Sequence, residues 1–187
     1  MWKSSTRKEK PMELDKLFEN ADCEKALAKI SDGDNEALNV IHKYMHRQIY
    51  AVAYAVLRDF ALADDIVQET YVKIMEKASS YEKGTNARAW ILSIARNLAI
   101  DVYRRRSLVC TEQETEDDEN RFDEGEVLFS MEVKRALDTL DDEERQIITM
   151  KVYAELKHRM IAKILDISEE ACKKKYQRAI AKLRVLL

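Results

Sequence analysis

Residues 157–184 read KHRMIAKILDISEEACKKKYQRAIAKLR. Apolar residues at Ile161, Ile164 and Leu165 follow helical spacing and break off at Asp166-Ile167-Ser168. The spacing resumes as Cys172, Tyr176, Ala179 and Leu183. The pattern predicts a short helix, a tight turn and a longer helix. Asp166 stands where the chain must turn, and Asp tolerates a left-handed backbone better than most residues. Ile167 then plugs the core, and Ser168 caps the second helix. Ala162 is small enough for close helix approach. Lys173, Lys174, Gln177 and Arg178 point outward, with Lys175 near the edge. The segment holds nine Lys/Arg against three Asp/Glu, a local +6 in a chain whose formal charge is −3. A basic helix pair inside an acidic protein is the electrostatic footprint of a surface that lays one helix against nucleic acid. A solvated lysine-rich surface is the competing reading; the turn, cap and bracing helix in register argue against it.

The rest of the chain favours helices. Only three Gly and one Pro occur in 187 residues, too few for a turn-rich β protein. The longest apolar run, residues 49–57, is far short of the roughly 20 residues a membrane span needs. The basic N-terminus is followed by no apolar stretch, so no secretory signal is expected. Cys23, Cys110 and Cys172 are odd in number and far apart, which fits reduced thiols in the cytoplasm better than a disulfide frame or a zinc site.

Between Glu112 and Glu126 there are nine acidic residues and one basic one, Arg121. That stretch is expected to be a flexible, self-repelling linker between two helical parts. Before it, the apolar spacing predicts a helix over 13–30 with Leu14, Leu17, Phe18, Ala21, Leu27 and Ile30 on or near one face. A second, capped by Asp34, runs to about Arg58 and buries Leu38, Ile41, Met45, Ile49, Val52, Ala53 and Val56. A third spans roughly 62–78, with Ile66, Val67, Tyr71, Ile74 and Met75 inward. A polar loop over 79–85 leads to a fourth over 86–106, with Trp90, Ile91, Ile94, Leu98 and Val102 inward and three arginines at its C-terminal dipole. After the linker, a helix to Thr139 precedes one begun by Asp141 with an acidic first turn. Its inner face is Ile147, Ile148, Val152 and Leu156. The fold class expected is all-α, with two small helical domains.

Four blocks in this order resemble the extracytoplasmic-function (ECF) branch of the bacterial sigma-70 family, the promoter-specificity subunits of RNA polymerase. They are AKISDGDNEAL at 28–38, ALADDIVQETYVKIMEKASSY at 61–81, NARAWILSIARNLAIDVYRRR at 86–106, and the C-terminal helix pair. The resemblance implies an N-terminal extension over 1–22, a sigma region 2 four-helix domain over 23–106, the acidic linker over 107–126, and a sigma region 4 helix-turn-helix domain over 127–187.

The resemblance also implies roles for residues. Asp64, Asp65, Gln68 and Glu69 would dock on the clamp coiled coil of the largest subunit of core polymerase. At helical spacing Asp65, Gln68 and Glu69 share a face and present acceptors to Arg or Lys donors; an ordinary acidic helix start would look the same. Ser80, Tyr81, Arg88, Trp90, Ser93, Arg96 and Asn97 would read the −10 element as its duplex opens, with Arg104, Arg105 and Arg106 on the backbone upstream. Opening DNA without ATP requires binding the displaced strand more tightly than the duplex, which base capture and charge pairing can supply. Trp90 fits a core position as well as a stacking platform. Glu170, Ala171, Lys174, Lys175 and Arg178 would meet the −35 element, with Lys157 and Arg159 on flanking phosphates. Here the chain departs from the commonest pattern: Asp166 replaces the turn Gly, Glu169-Glu170-Ala171 a small Gly/Thr-containing start, and Lys174-Lys175 a Ser-Arg pair. Losing that Arg weakens the case for a bidentate guanine contact. An anti-sigma partner packed between the domains is implied as well, and the acidic linker could mimic nucleic acid or serve as a spacer.

Other functions fit less well. His42 and His46 are spaced i, i+4 but have no carboxylate between them, so no metal or cofactor is expected. No glycine-rich phosphate loop or nucleophile elbow is present, so neither catalysis nor a small-molecule substrate is expected. Cys172 could be a redox handle or simply buried. The strongest rival is a stand-alone helix-turn-helix regulator that binds operators without polymerase.

Overall fold

A computed structural model describes residues 12–109 and 131–185, and the side chains of 19–108 and 133–185 within them. Among the described residues there are eight α-helices, two 3-10 turns and no strands. The helices are α1 (Met12–Ser31), α2 (Leu38–Leu57), α3 (Phe60–Lys77), α4 (Ala87–Val109), α5 (Met131–Asp138), α6 (Asp142–Val152), α7 (His158–Leu165) and α8 (Glu169–Arg184). Residues 110–126 of the acidic linker, Cys110 among them, and the side chains of Leu14, Leu17 and Phe18 lie outside the described residues, while 107–109 continue α4.

Local chemistry sets each boundary. Gly33 closes α1 at φ +96°, a backbone that side chains resist. Asp34 accepts from the N–H of Glu36 at 3.1 Å and starts the 3-10 turn Asn35–Ala37 that leads into α2. α2 ends at Arg58, which adopts the left-handed conformation and donates its N–H to the Tyr54 carbonyl. Asp59 caps α3 through Leu62 N–H at 3.0 Å, and its other carboxylate oxygen meets Arg106 at 3.1 Å, tying the end of α4 to the start of α3. Asn86 caps α4 through Ala89 N–H at 2.7 Å. Asp141 and Glu144 form the reciprocal capping box of α6.

α2 is the axis of the fold. Residues 49–56 are buried without interruption, because α1, α3, α4 and α6 all pack on α2. A helix apolar all round is an interior helix. Each fully enclosed Ile along it, such as Ile41 and Ile49, contributes about 1.5–3 kcal/mol of burial.

Three expectations need correction. Met75 is 38% exposed and Val152 53% exposed, so neither faces the core. Met75 lies one turn beyond Val72 on the outer strip of α3, while Val152 is the last residue of α6, where no described helix covers it. In α4 the deepest residues are Ile91, Leu92, Ala95 and Ala99, whereas Trp90, Ile94, Leu98 and Val102 are half-buried. Ile91, Leu92, Ala95 and Ala99 recur at helical spacing, so the buried stripe is centred beside the predicted one. Buried residues of the two halves form one continuous cluster.

Candidate nucleic-acid interface

The C-terminal helix pair has the geometry its sequence predicts. Asp166 turns the chain at φ 55°, ψ 46°, and its N–H serves the last carbonyls of α7. The Ser168 hydroxyl accepts from Ala171 N–H at 3.1 Å and caps α8. Cys172 and Ala179 are fully buried, in the same core cluster as Ile161 and Leu165 of the bracing helix. His158 packs edge-on against Tyr176 with centroids 5.0 Å apart. Burial and the nearby Lys151 and Lys173 hold its imidazole below the ordinary histidine range.

The outer face of α8 carries Glu170, Lys174, Gln177 and Arg178 exposed, with Ala171 and Lys175 half-buried; Lys157 and Arg159 are exposed at the start of α7. The lysines are not equivalent. Lys173 pairs with Glu169 at 2.7 Å, Lys175 with Glu143 at 3.0 Å and Lys182 with Glu144 at 2.5 Å. The Glu143 carboxylate holds the Lys175 ammonium above its usual value. Lys174 and Arg178 make no ion pair among the described residues. On the outer face of α8 they lack the acidic partners that hold Lys173, Lys175 and Lys182.

On α3, Asp65, Gln68 and Glu69 are exposed and share one face, while Asp64 is half-buried. The exposed Val72 and Met75 continue that strip one and two turns on. The inner face carries Tyr71, whose hydroxyl is 3.2 Å from His46 Nδ1; burial raises its phenol. The His42 and His46 rings lie tilted to each other with centroids 4.7 Å apart, and no group of three potential ligands gathers among the described residues.

The α4 face is more enclosed than its sequence implies. Ser80 is exposed and donates to the Lys77 carbonyl. Tyr81 is buried, edge-on to the half-buried Trp90 at 5.5 Å. Trp90 is therefore partly core and partly open to a groove. Ser93 donates to the Trp90 carbonyl. Arg88 is buried, 3.6 Å from Glu19, with Nη2 donating to the Ala154 carbonyl at 3.0 Å. Arg96 Nε donates to Gln146 Oε1 at 2.8 Å. Asn97, Arg104 and Arg105 are exposed. The groove, about 540 Å³, runs between Gly84–Asn86, Ala89, Trp90 and Ser93 on one side and Arg159, Met160, Lys163 and Ile164 of α7 on the other. The bracing helix thus sits directly over residues expected at the −10 element.

Sequence reasoning missed Arg145 and Gln146, the buried polar residues of α6 that meet the N-terminal half. Residues 142–146 read as an ordinary charged helix start. The available signal was in α2, whose apolar run over 49–57 is wider than one neighbouring layer requires.

Comparison with known proteins agrees with both halves. Residues 41–109 match the family model described as Sigma-70 region 2, and residues 130–183 match Sigma-70, region 4. The chain is 24% identical over 160 residues to the ECF RNA polymerase sigma factor SigX of Bacillus subtilis, covering 80% of this chain and 82% of that one. It is 25% identical over 179 residues to the ECF RNA polymerase sigma factor SigK of Mycobacterium ulcerans, covering 87% and 92%. Among solved structures, CnrH in complex with the cytosolic domain of CnrY superposes at TM-score 0.67 with 22% identity, covering 88% of this chain and 96% of that one. The sigma factor RpoE in complex with the anti-sigma factor NepR from Bartonella quintana superposes at 0.63 with 22% identity, covering 80% and 95%. With both regions matched in order on the helices just described, this chain belongs to the sigma-70 family of RNA polymerase sigma factors, in its ECF branch.

Proposed function

We propose that the chain divides initiation among three surfaces. The α3 strip with Asp64, Asp65, Gln68 and Glu69 docks on the clamp coiled coil of core polymerase. The α4 face with Ser80, Tyr81, Arg88, Trp90, Ser93, Arg96 and Asn97 holds the opened −10 element, and Arg104 to Arg106 track the duplex upstream. α8 reads the −35 element through Glu170, Ala171, Lys174, Lys175 and Arg178, with Lys157 and Arg159 on phosphates. The chain acts by differential binding and supplies no catalytic group. It works in the cytoplasm, where its DNA is. No helix among the described residues is long and apolar enough to cross a membrane. Like the structural neighbour RpoE, solved with the anti-sigma factor NepR, it takes an anti-sigma factor as its inhibitor.

The observation that carries this reading is the pairing of an exposed acidic strip on α3 with a capped, basic reading helix at the far end of the chain. A stand-alone operator binder has no need of the first. Reversing Asp65 and Glu69 to Lys tests it. Both are exposed, so folding should change little. Each lost charge-assisted contact costs about 1.5–3 kcal/mol, which predicts at least ~100-fold weaker association with core polymerase. Unchanged association of a helical double variant removes the strip from the docking surface.

A further inference from the structure

Residues 82–85 lead from the 3-10 turn Ala78–Ser80 into α4, among the residues proposed to hold the −10 element. Both ends of this loop are fixed locally. Tyr81 is buried and donates its N–H to the Ala78 carbonyl at 3.1 Å, and Asn86 caps α4. The crown closes on itself: the Thr85 N–H and hydroxyl both donate to the Glu82 carbonyl, at 3.3 and 2.7 Å. Gly84 adopts φ +82°, with nothing within 4 Å of the place a Cβ would take, so the backbone turn and not crowding calls for glycine. The Gly84 N–H reaches across to α1, where the Glu24 carboxylate accepts it from 60 residues away in sequence.

Glu24 does not act alone. Asn20, one turn earlier on the same face of α1, accepts from the Arg88 N–H at 3.3 Å, a first-turn amide with no acceptor inside α4. Glu19 lies 3.6 Å from the Arg88 guanidinium. Cys23 and Leu27 are fully buried and fasten α1 to the core.

We propose that Glu24 is a positioning residue for capture of the −10 strand: it holds the crown of the 82–85 loop, as Asn20 holds the start of α4, so that loop and helix present one preformed surface to an unstacked base. The capture rests on the proposed −10 role of α4; the tie to Gly84 does not. A loop ordered before the strand arrives spends no binding energy on its own ordering. Without the tie, residues 82–85 keep their internal turn but lose their bearing on α1, and that cost falls on binding the base.

Glu24→Ala removes the acceptor, and Ala is the stronger helix former, so α1 should persist. Glu24→Gln keeps a carbonyl acceptor. Hydrogen exchange at the Gly84 amide of the full chain should speed about tenfold in Glu24→Ala, as for loss of one hydrogen bond to a charged group, and much less in Glu24→Gln. Each variant, assembled with core polymerase, is then bound to single-stranded oligonucleotides carrying the −10 element of a mapped transcript start, each base replaced in turn by an abasic site. For wild type, removing the captured base should weaken binding about tenfold or more. That penalty should fall severalfold in Glu24→Ala and persist in Glu24→Gln. A general loss of stability would weaken every oligonucleotide alike and leave the penalty unchanged. A full wild-type penalty in Glu24→Ala overturns the proposal, as does Gly84 exchange unmoved by that substitution. A wild type with no penalty at any position removes the −10 reading itself and this use of the loop with it; faster Gly84 exchange in Glu24→Ala would still report the tie.

Discussion

Replacing Lys174 with Ala should flatten the salt dependence of promoter binding by about one phosphate contact, whereas replacing Lys175 should hardly change it. The difference follows from what each ammonium already touches. Lys174 is exposed and has no ion-pair partner among the described residues, while Lys175 lies 3.0 Å from Glu143 with its side chain 31% exposed. A lysine that neutralises a phosphate contributes about −0.9 to the slope of log affinity against log salt. Raising salt from about 50 to about 200 mM should therefore weaken wild type about 3.5-fold more than Lys174→Ala. Lys175→Ala leaves the Glu143 carboxylate uncompensated beside the reading helix. It should lower affinity by repulsion with little change of slope, and adding Glu143→Gln should restore the loss. The assay is fluorescence anisotropy on a duplex from upstream of a mapped transcript start, with each variant loaded on core polymerase at several salt concentrations. An unchanged slope for Lys174→Ala, or equal flattening by both variants, refutes the assignment.

Three other perturbations follow from the helix ends and the buried groups. Asp141→Ala removes the side-chain half of the capping box of α6, the acceptor for Glu144 N–H, which should cost about 1 kcal/mol and lower Tm by about 2–4 °C in a thermal melt; an unchanged Tm refutes it. His158 titrates below its ordinary value of 6.5 in the fold, so the unfolded chain takes up a proton first as pH falls. Its contribution to stability is present above pH 6.5 and is lost as pH drops through the lowered folded value. His158→Gln should remove that part of the pH slope in denaturant titrations, and an identical slope contradicts it. Cys23, pushed up to about 12 by burial, and Cys172, also raised by burial, should resist a thiol reagent at pH 7 until the chain unfolds. Rapid labelling of native Cys172 would restore its reading as a redox handle.

Local features were the legible part of the fold. The left-handed turn at Asp166, the caps at Asp34, Ser168 and Asp141, and the inward faces of α2 and α8 all follow from spacing and short-range hydrogen bonding. What periodicity could not supply was the packing of one half on the other. A helix pattern tells which face is apolar and not how many neighbours cover it, so the second layer on Tyr50 to Val56 went unread. Nor does a pattern distinguish a surface arginine from one aimed at a distant carbonyl, so Arg145 passed as part of an acidic helix start and Arg88 as a free DNA contact. Met75 and Val152 were misplaced for the converse reason. Apolar side chains at core-compatible spacing lie on strips that no other described element covers. On α8, residue type gave the charge, but only the fold separates Lys174 from the lysines already paired with Glu143 and Glu169.

The most direct measurement adds the purified full-length chain to bacterial core RNA polymerase on fragmented genomic DNA and maps the 5′ ends of the RNA made. The account predicts starts absent from core alone, each preceded by two shared sequence elements at a constant separation, one read by α4 and one by α8. Starts no more selective than those of core polymerase alone would contradict it.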